Sequence, residues 1–110
     1  MMPDQFDVHR NPGRSRRDIP FVVVVQSNRF RYFTRRVVVP LLAVAEFGRS
    51  DSHFGPHFVI DGRAVVLDPL QIAHVPRDAL GDPVASLADN AARIFEAMDA
   101  MISTAWRRPA

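Results

Sequence analysis

The chain has 110 residues with neither cysteine nor lysine, and its 14 arginines outnumber 12 acidic residues to give a net charge of +2. We expect residues 1–110 to form a single domain, and the lack of cysteine excludes disulfides and thiolate metal sites. No apolar run approaches the roughly 20 residues of a membrane span, and the N-terminus lacks the apolar centre of a secretory signal, so we expect a soluble cytoplasmic protein.

The N-terminal stretch predicts one short strand followed by a loop. Residues 5–9 alternate between polar and apolar types, which is typical of a half-buried strand with Phe6 and Val8 directed inward. The sequence Asn11-Pro12-Gly13 predicts a turn, because proline fixes φ and glycine accepts a positive φ. Residues 14–18 are all polar and offer no apolar anchor, so we expect this loop to be mobile in the free protein.

Two valine-rich runs dominate the first half of the chain. Residues 19–26 and 36–41 are rich in β-branched side chains, which favour strands, and neither run alternates cleanly. We therefore expect each strand to be covered on both faces. Residues 29–33 lie between the runs and predict either a short strand or an extended loop that exposes Phe30 or Tyr32.

The middle of the chain predicts further antiparallel strands. We interpret residues 42–47 as a continuation of the preceding strand. Asp61-Gly62 separates the runs 57–60 and 63–67, and this dipeptide favours the mirror-image turn of a tight β-hairpin. Residues 70–75 predict one more strand.

A change of hydrophobic period predicts one helix at the end of the chain. The helix runs from about residue 85 to about residue 106, with Ser86 as its cap and Asp89 three positions later. Its apolar stripe has spacings of three and four: Leu87, Ala91, Ile94, Met98, Met101, Ile102 and Ala105. The predicted fold is mainly β, with about six short antiparallel strands between residues 5 and 75 closed by this helix.

Charge is distributed unevenly along the chain. Residues 1–36 contain eight arginines and three acids, a balance of +5, whereas residues 37–110 contain six arginines and nine acids, a balance of −3. One interpretation is an arginine surface that meets phosphate or an acidic partner. The other, which the sequence favours, is a solvated loop and the outward faces of strands.

Residues with catalytic chemistry are scattered. The four histidines lack the spacing of a zinc motif, and the sequence indicates neither a metal site nor a cofactor site. A ribonuclease needs a base, an acid and an arginine at one phosphate, which His9 or His57 with Asp7 and Arg35 would provide. The favoured alternative puts His9 on the exposed face of its strand and His57 in or beside a loop.

The single tryptophan, Trp106, has two interpretations of equal weight. Two arginines follow it, and tryptophan and arginine are the residue types that most often dominate an interface. Alternatively, Trp106 closes the bottom of the core and the two arginines are solvated.

The order of these segments resembles the CcdB family of toxins. The resemblance is carried first by Gln5-Phe6-Asp7-Val8, Phe21-Val22-Val23-Val24, Gln26-Ser27-Asn28 and Thr34-Arg35-Arg36-Val37-Val38-Val39-Pro40-Leu41. It continues through Pro56-His57, Gly62, Val75-Pro76, Gly81, Val84, Leu87 and Ile94. These segments occur in the family's order and span nearly the whole chain, and their order carries the resemblance.

The resemblance implies an SH3-like barrel of the CcdB and MazF type with one C-terminal α-helix, a homodimer, and action without catalysis or a cofactor. Proteins similar to CcdB bind the A subunit of DNA gyrase, trap the gyrase–DNA cleavage complex and so block replication. They are neutralised by a CcdA-like antitoxin with a disordered C-terminal segment. Direct sequence-specific binding to nucleic acid is not implied. Two alternatives stay open: a CcdB-like protein with a different or lost target, and an RNA-cleaving MazF-like toxin on the same fold.

The resemblance also implies two groups of gyrase contacts. The first group falls on Arg29 and Phe30, of which Phe30 keeps the apolar type. The second group, at the end of the helix, falls on Asp99, Ile102, Ser103, Thr104 and Ala105. Trp106 lies three residues beyond the position of the family's tryptophan. Because three residues are nearly one helical turn, Trp106 keeps a similar direction about 4.5 Å further along the helix.

The predicted antitoxin site rests on charge. An acidic disordered segment suits the arginine-rich loop through charge-assisted hydrogen bonds. We therefore expect Arg14, Arg16 and Arg17 to bind the antitoxin, because they lie in the part of the chain with the +5 balance.

Overall fold

The computed structural model describes residues 3–47 and 55–103 of the chain. These residues form seven strands: β1 (Asp7–Arg10), β2 (Phe21–Val24), β3 (Arg35–Ala43), β4 (His57–Ile60), β5 (Arg63–Leu67), β6 (Ala73–Pro76) and β7 (Ala85–Ser86). The two α-helices are α1 (Val44–Phe47) and α2 (Ala91–Ser103), and 3₁₀ helices span Asn28–Phe30, Pro69–Gln71, Arg77–Ala79 and Ala88–Asn90. None of the described helices is long and apolar enough to cross a membrane.

All strand pairs are antiparallel, in the order β4-β5-β3-β2-β1-β7, and β6 pairs with β3 as well. Strands from opposite ends of this order share one core, because Ala85 of β7 packs against the same cluster as Phe58 and Ile60 of β4. The sheet therefore curls into a nearly closed barrel, and α2 adds Ile94 to the same core. The predicted mainly β fold with one C-terminal helix is confirmed.

Strand β2 is covered on both faces, as its unbroken run of valines predicts. Phe21 and Val23 belong to the main core, whereas Val22 and Val24 belong to a second cluster with Val38 and Leu80. The second cluster lies on the opposite face because side chains alternate along a strand. Every residue of β2 is buried.

The turns are predicted well where a residue type dictates the backbone. Asp61 and Gly62 both have positive φ, 51° and 76°, and join β4 to β5 as the predicted hairpin. The Asn11 side chain accepts a hydrogen bond from the Gly13 backbone N–H at 2.8 Å, which confirms that turn. Phe6 and Val8 are buried as predicted, although β1 begins only at Asp7 because Phe6 has a φ of 71°.

Two strand boundaries predicted from the sequence are wrong. Residues 44–47 form α1, since Ala45 and Glu46 favour a helix. Residues Pro69–Gln71 form a 3₁₀ helix in which the Asp68 side chain accepts from the Leu70 N–H at 3.1 Å, so β6 begins only at Ala73. Leu70 is consequently exposed rather than on a strand.

The C-terminal helix begins later than predicted. Ala85 and Ser86 form β7 and pair with Val8 and Asp7, because the outer edge of β1 offers unpaired backbone groups that override helix propensity. The prediction of Ser86 as the cap is wrong, because Leu87 is the N-cap of the 3₁₀ helix; the Ser86 hydroxyl only accepts a local hydrogen bond from the Ala88 N–H at 3.2 Å. Within the predicted apolar stripe, Leu87 and Ile94 are buried and Ile102 is exposed. Ala105 lies outside the described residues.

Strand β3 is the centre of the sheet, and Pro40 lies inside it. On one side, Pro40 is opposite Val22 of β2. On the other side, β6 pairs as far as Val38 and β5 pairs from Leu41 onward. Pro40 therefore lies where the partner changes, and its missing N–H removes no bond from either ladder.

Candidate functional site

The segment Ser27–Thr34, which we call the aromatic loop, joins β2 to β3. The Ser27 hydroxyl accepts a hydrogen bond from the Arg29 N–H at 3.1 Å, and the Ser27 carbonyl accepts from the Phe30 N–H at 3.0 Å. These bonds start a 3₁₀ helix, so residues 29–33 are neither a strand nor an extended loop. The predicted exposure of Phe30 and Tyr32 is confirmed.

Three aromatic side chains of this loop face solvent. Tyr32 is 75% exposed, Phe33 is 64% exposed and Phe30 is 43% exposed. The Phe30 and Phe33 rings meet edge to face, with centroids 5.5 Å apart and an interplanar angle of 70°. Large exposed aromatics grouped in this way are typical of an interaction surface.

Arg36, at the start of β3, is buried beneath the aromatic loop with a relative exposure of 1%. Its guanidinium donates to the carbonyl oxygens of Phe33 at 2.7 Å, Arg35 at 3.0 Å and Pro3 at 3.3 Å. It also donates to the carbonyl of Arg31. Four carbonyls thus converge on one buried cation, which is how a buried charge is tolerated.

The electrostatic environment of Arg36 is unfavourable for a cation. Burial lowers the pKa of Arg36, and repulsion from Arg77 and Arg31 lowers it further, while Asp4 acts in the opposite direction. Arginine nevertheless stays charged at neutral pH. The interpretation of the N-terminal arginines as solvated side chains is therefore wrong for Arg36. The sequence does indicate the burial of Arg36, because Arg36 is the first residue of the run 36–41, which is predicted to be covered on both faces.

Other side chains close the base of the aromatic loop. The Gln26 amide donates to the Phe30 carbonyl at 3.1 Å and accepts from the Val37 N–H at 3.1 Å. Arg77 directly follows β6, and its backbone N–H donates to the Thr34 carbonyl at 2.9 Å. The loop is therefore held at both ends and from below.

The residues considered for RNA cleavage do not assemble. Arg35 donates to Nδ1 and to the carbonyl of His74. Leu42 lies seven positions after Arg35 in β3, and its β5 partner Val66 also pairs with His57. Since a strand rises about 3.3 Å per residue, His57 and Arg35 are about 23 Å apart along the sheet.

The expected exposed position of His9 is wrong, because His9 has a relative exposure of 1%. The segment after β6 covers its face of β1, and His9 Nδ1 lies 2.8 Å from the Gly81 carbonyl oxygen, to which it donates. Nε2 has no hydrogen-bond partner among the described residues. His9 is thus a packed interior residue rather than a base at the surface.

The predicted C-terminal contacts lie on and beyond α2. Asp99 is half-buried and Ile102 is 66% exposed. Ser103 is the last residue of α2, while Thr104 and Trp106 lie outside the described residues. Both interpretations of Trp106 therefore stay predictions.

The turn Gln5–Phe6 lies between the aromatic loop and α2. The Gln5 N–H donates to the Asn28 side chain at 2.8 Å, in the 3₁₀ helix that carries Phe30. The Phe6 ring meets the Phe95 ring of α2 edge on, with centroids 5.3 Å apart. Ile102 lies two turns after Phe95 on the same side of the helix, about 10 Å further along.

The segment Asn11–Pro20, which we call the arginine loop, carries Arg14, Arg16 and Arg17, and all three are exposed. Arg16 Nε donates to the Asn11 carbonyl at 2.9 Å. The loop meets the far end of β3, since the Ala43 N–H donates to the Asp18 carbonyl at 2.8 Å. Its predicted mobility is not tested by these contacts and stays a prediction.

The aromatic loop and the arginine loop lie at opposite ends of β3. Arg35 begins this strand beside the aromatic loop, and Ala43 ends it beside the arginine loop. The eight residue steps from Arg35 to Ala43 correspond to about 26 Å. The two surfaces can therefore hold two different partners.

Comparison with known proteins gives one family. The family described as CcdB protein matches residues 5–104 of the chain. This match covers every strand and both helices described above. No curated protein matches the chain.

Proposed function

The chain belongs to the CcdB family, toxins of toxin–antitoxin modules that target DNA gyrase, and we propose that it binds the A subunit of gyrase and traps the gyrase–DNA cleavage complex. The family match over residues 5–104 is the observation that carries this proposal. Members of the family act without catalysis. The separation of His57 from Arg35 and the burial of His9 agree with such a mode of action.

The proposed gyrase contacts are Phe30, Asp99, Ile102, Ser103 and Trp106. The exposure of Phe30 and Ile102 supports this assignment, because apolar side chains at the surface gain most from burial in a partner. The Gln5–Phe6 turn supports it further, since it contacts both the 3₁₀ helix of Phe30 and the helix of Ile102.

A gyrase assay with purified protein tests this function. The native chain is expected to inhibit supercoiling and to trap double-strand cleavage. Phe30→Ala and Trp106→Ala are each expected to weaken trapping by about tenfold or more, as for central interface residues. Val59→Ala is the matched control, because Val59 is an exposed apolar residue of β4. Gyrase that is unaffected by the native chain would overturn the proposal. RNA cleavage by the same preparation would then support the ribonuclease alternative.

We also propose a homodimer that is neutralised by a CcdA-like antitoxin bound at Arg14, Arg16 and Arg17. The exposure of these arginines in one loop supports recognition of an acidic segment. Sedimentation should give twice the 12.4 kDa of one chain. A mass of one chain at micromolar concentration would contradict the dimer.

A further inference from the structure

The aromatic loop displays more aromatic surface than the proposed gyrase contacts use. In this loop the family resemblance implies Arg29 and Phe30, yet Tyr32 and Phe33 are more exposed than Phe30. The rings of Phe30 and Phe33 touch edge to face, and Tyr32, which precedes Phe33, is the most exposed of the three. We call these three residues the aromatic wedge.

The backbone beneath the wedge is fixed by a buried cation. The Arg36 guanidinium donates to the carbonyls of Arg31 and Phe33, which flank Tyr32. Arg77 approaches from another side and donates to the Tyr32 carbonyl at 3.4 Å. A loop held in this way loses little further conformational entropy on binding, which is the advantage of a preorganised interface.

Three of the four arginines around the wedge are already engaged by the protein, and the fourth, Arg29, is exposed. Arg31 pairs with Asp4 at 3.2 Å, Arg35 donates to His74, and Arg77 donates to loop carbonyls. A phosphate backbone would find these guanidinium groups occupied and would approach the Asp4 carboxylate. The perpendicular rings of Phe30 and Phe33 also differ from a parallel platform for stacked bases. The surface therefore suits an apolar pocket of a protein better than a nucleic acid.

We propose that Phe30, Tyr32 and Phe33 insert together into an apolar pocket of the A subunit of gyrase, and that Arg36 is the positioning residue that fixes this wedge before binding. This inference rests on the proposed function, which supplies the partner. It adds Tyr32 and Phe33 as contact residues and gives Arg36 a role at a distance from the partner. Tyrosine and phenylalanine are enriched in the buried centre of protein interfaces.

The first test measures affinity for the purified A subunit by calorimetry. The double variant Tyr32→Ala/Phe33→Ala removes two exposed rings and leaves Phe30 and the core in place. Its affinity is expected to fall by about 30-fold, whereas Val59→Ala should change affinity by less than about twofold. Unchanged affinity of the double variant would overturn the inference while the proposed function stands. Failure of the native chain to bind would overturn both.

The second test separates positioning by Arg36 from a general effect on stability. Arg36→Lys keeps the charge but cannot reach four carbonyls in the same geometry. Amide hydrogen exchange is expected to accelerate in residues 28–34 but not in β2, and affinity for the A subunit should fall by about tenfold. Native affinity together with loosened loop amides would overturn the role of Arg36.

Two other occupants are distinguished with the same variants. Binding of the native chain to a single-stranded oligonucleotide, lost in the double variant while gyrase binding persists, would assign the wedge to nucleic acid. Loss of antitoxin binding alone would assign it to the antitoxin. Either result would overturn the inference.

Discussion

Arg36 is a charged side chain at the edge of an interior built largely from valine. Burial lowers the pKa of Arg36 because it disfavours the charged form. The four carbonyl acceptors offset this cost by accepting hydrogen bonds from the guanidinium. A buried guanidinium contributes little more to the free energy of unfolding than a well-packed apolar residue would. Its removal, however, leaves the carbonyls that it bonds without donors. The loop, rather than the core, therefore depends on it.

Arg36→Met is expected to destabilise the protein by about 3 kcal/mol, because buried carbonyls left without a donor each lose about 1–3 kcal/mol and some will regain water. Urea unfolding followed by circular dichroism measures this change. Arg63→Met is the matched control, since Arg63 is exposed at the start of β5 and should change stability by less than about 0.5 kcal/mol. A loss at position 36 as small as at position 63 would show that the carbonyls find other donors.

Arg36→Lys should make stability depend on pH. Arginine is charged in the folded and the unfolded chain near neutral pH, so the lowered pKa of Arg36 gives no pH dependence there. A lysine in the same surroundings would have a pKa below its unfolded value of about 10.4, and the unfolded chain would then bind more protons. The difference in unfolding free energy between the native chain and Arg36→Lys should therefore decrease as pH rises from about 7 to about 10. A constant deficit in urea unfolding across this range would contradict the expectation.

At the scale of single residues, the sequence predicts exposure in the loop but not what holds the loop. Phe30 and Tyr32 lie between the two valine-rich runs, and their side chains are exposed as expected. Burial of Arg36 and His9 depends on carbonyls of Phe33 and Gly81, which fold against them from other segments. Such partners are set by tertiary contacts and have no local pattern.

At the scale of elements, local chemistry decides some segments and pairing decides others. Asp61-Gly62 forms its hairpin because both residues tolerate positive φ. Ala85 and Ser86 have no such preference and become a strand because the edge of β1 is available to them. Prediction from sequence succeeds for the first kind of segment and fails for the second, since an available edge is a property of the folded sheet.

Gly55 is expected to be indispensable to the packing of its segment against β5. A Cβ atom at this position would lie 2.1 Å from the carbonyl oxygen of Leu67, and the adjacent Pro56 carbonyl accepts the Leu67 N–H at 3.0 Å. Gly55→Ala should therefore reduce the unfolding free energy by about 2 kcal/mol or more, because backbone has to move.

Gly81→Ala is the control for this substitution, because a Cβ atom there meets nothing within 4 Å. Its effect should stay below about 0.5 kcal/mol in the same urea titration. Equal stabilities of the two variants would mean that the segment before β4 shifts away from Leu67 freely.

At the scale of the whole molecule, the two proposed partner surfaces differ in charge as well as in place. The exposed arginines of the arginine loop lie at the Ala43 end of β3, and the aromatic wedge lies at the Arg35 end, where Arg31 and Arg35 contact Asp4 and His74. A partner that binds through ion pairs and a partner that binds through apolar contacts would thus bind at opposite ends of the barrel. This division follows from β3 being the longest strand.

Antitoxin binding should therefore be more sensitive to salt than gyrase binding. Replacing Arg14, Arg16 and Arg17 together by glutamine is expected to weaken antitoxin affinity about tenfold at low salt, at roughly 0.5 kcal/mol for each exposed pair, and much less at high salt. Titration calorimetry at two salt concentrations measures both effects, with Arg63→Gln as the control. Unchanged antitoxin affinity at low salt would place the antitoxin elsewhere.

Pro40 divides one edge of β3 into two independent ladders. Its carbonyl accepts the Asp68 N–H on the side of β5 and β6, and the nitrogen of a strand residue points to the same side, so the row of donors is interrupted there. We therefore expect the β4–β5 hairpin to separate from Leu41–Ala43 in a sub-global opening while β6 stays paired with Arg35–Val38. Such an opening at the Ala43 end of β3 would leave the β6 pairs next to the aromatic wedge intact.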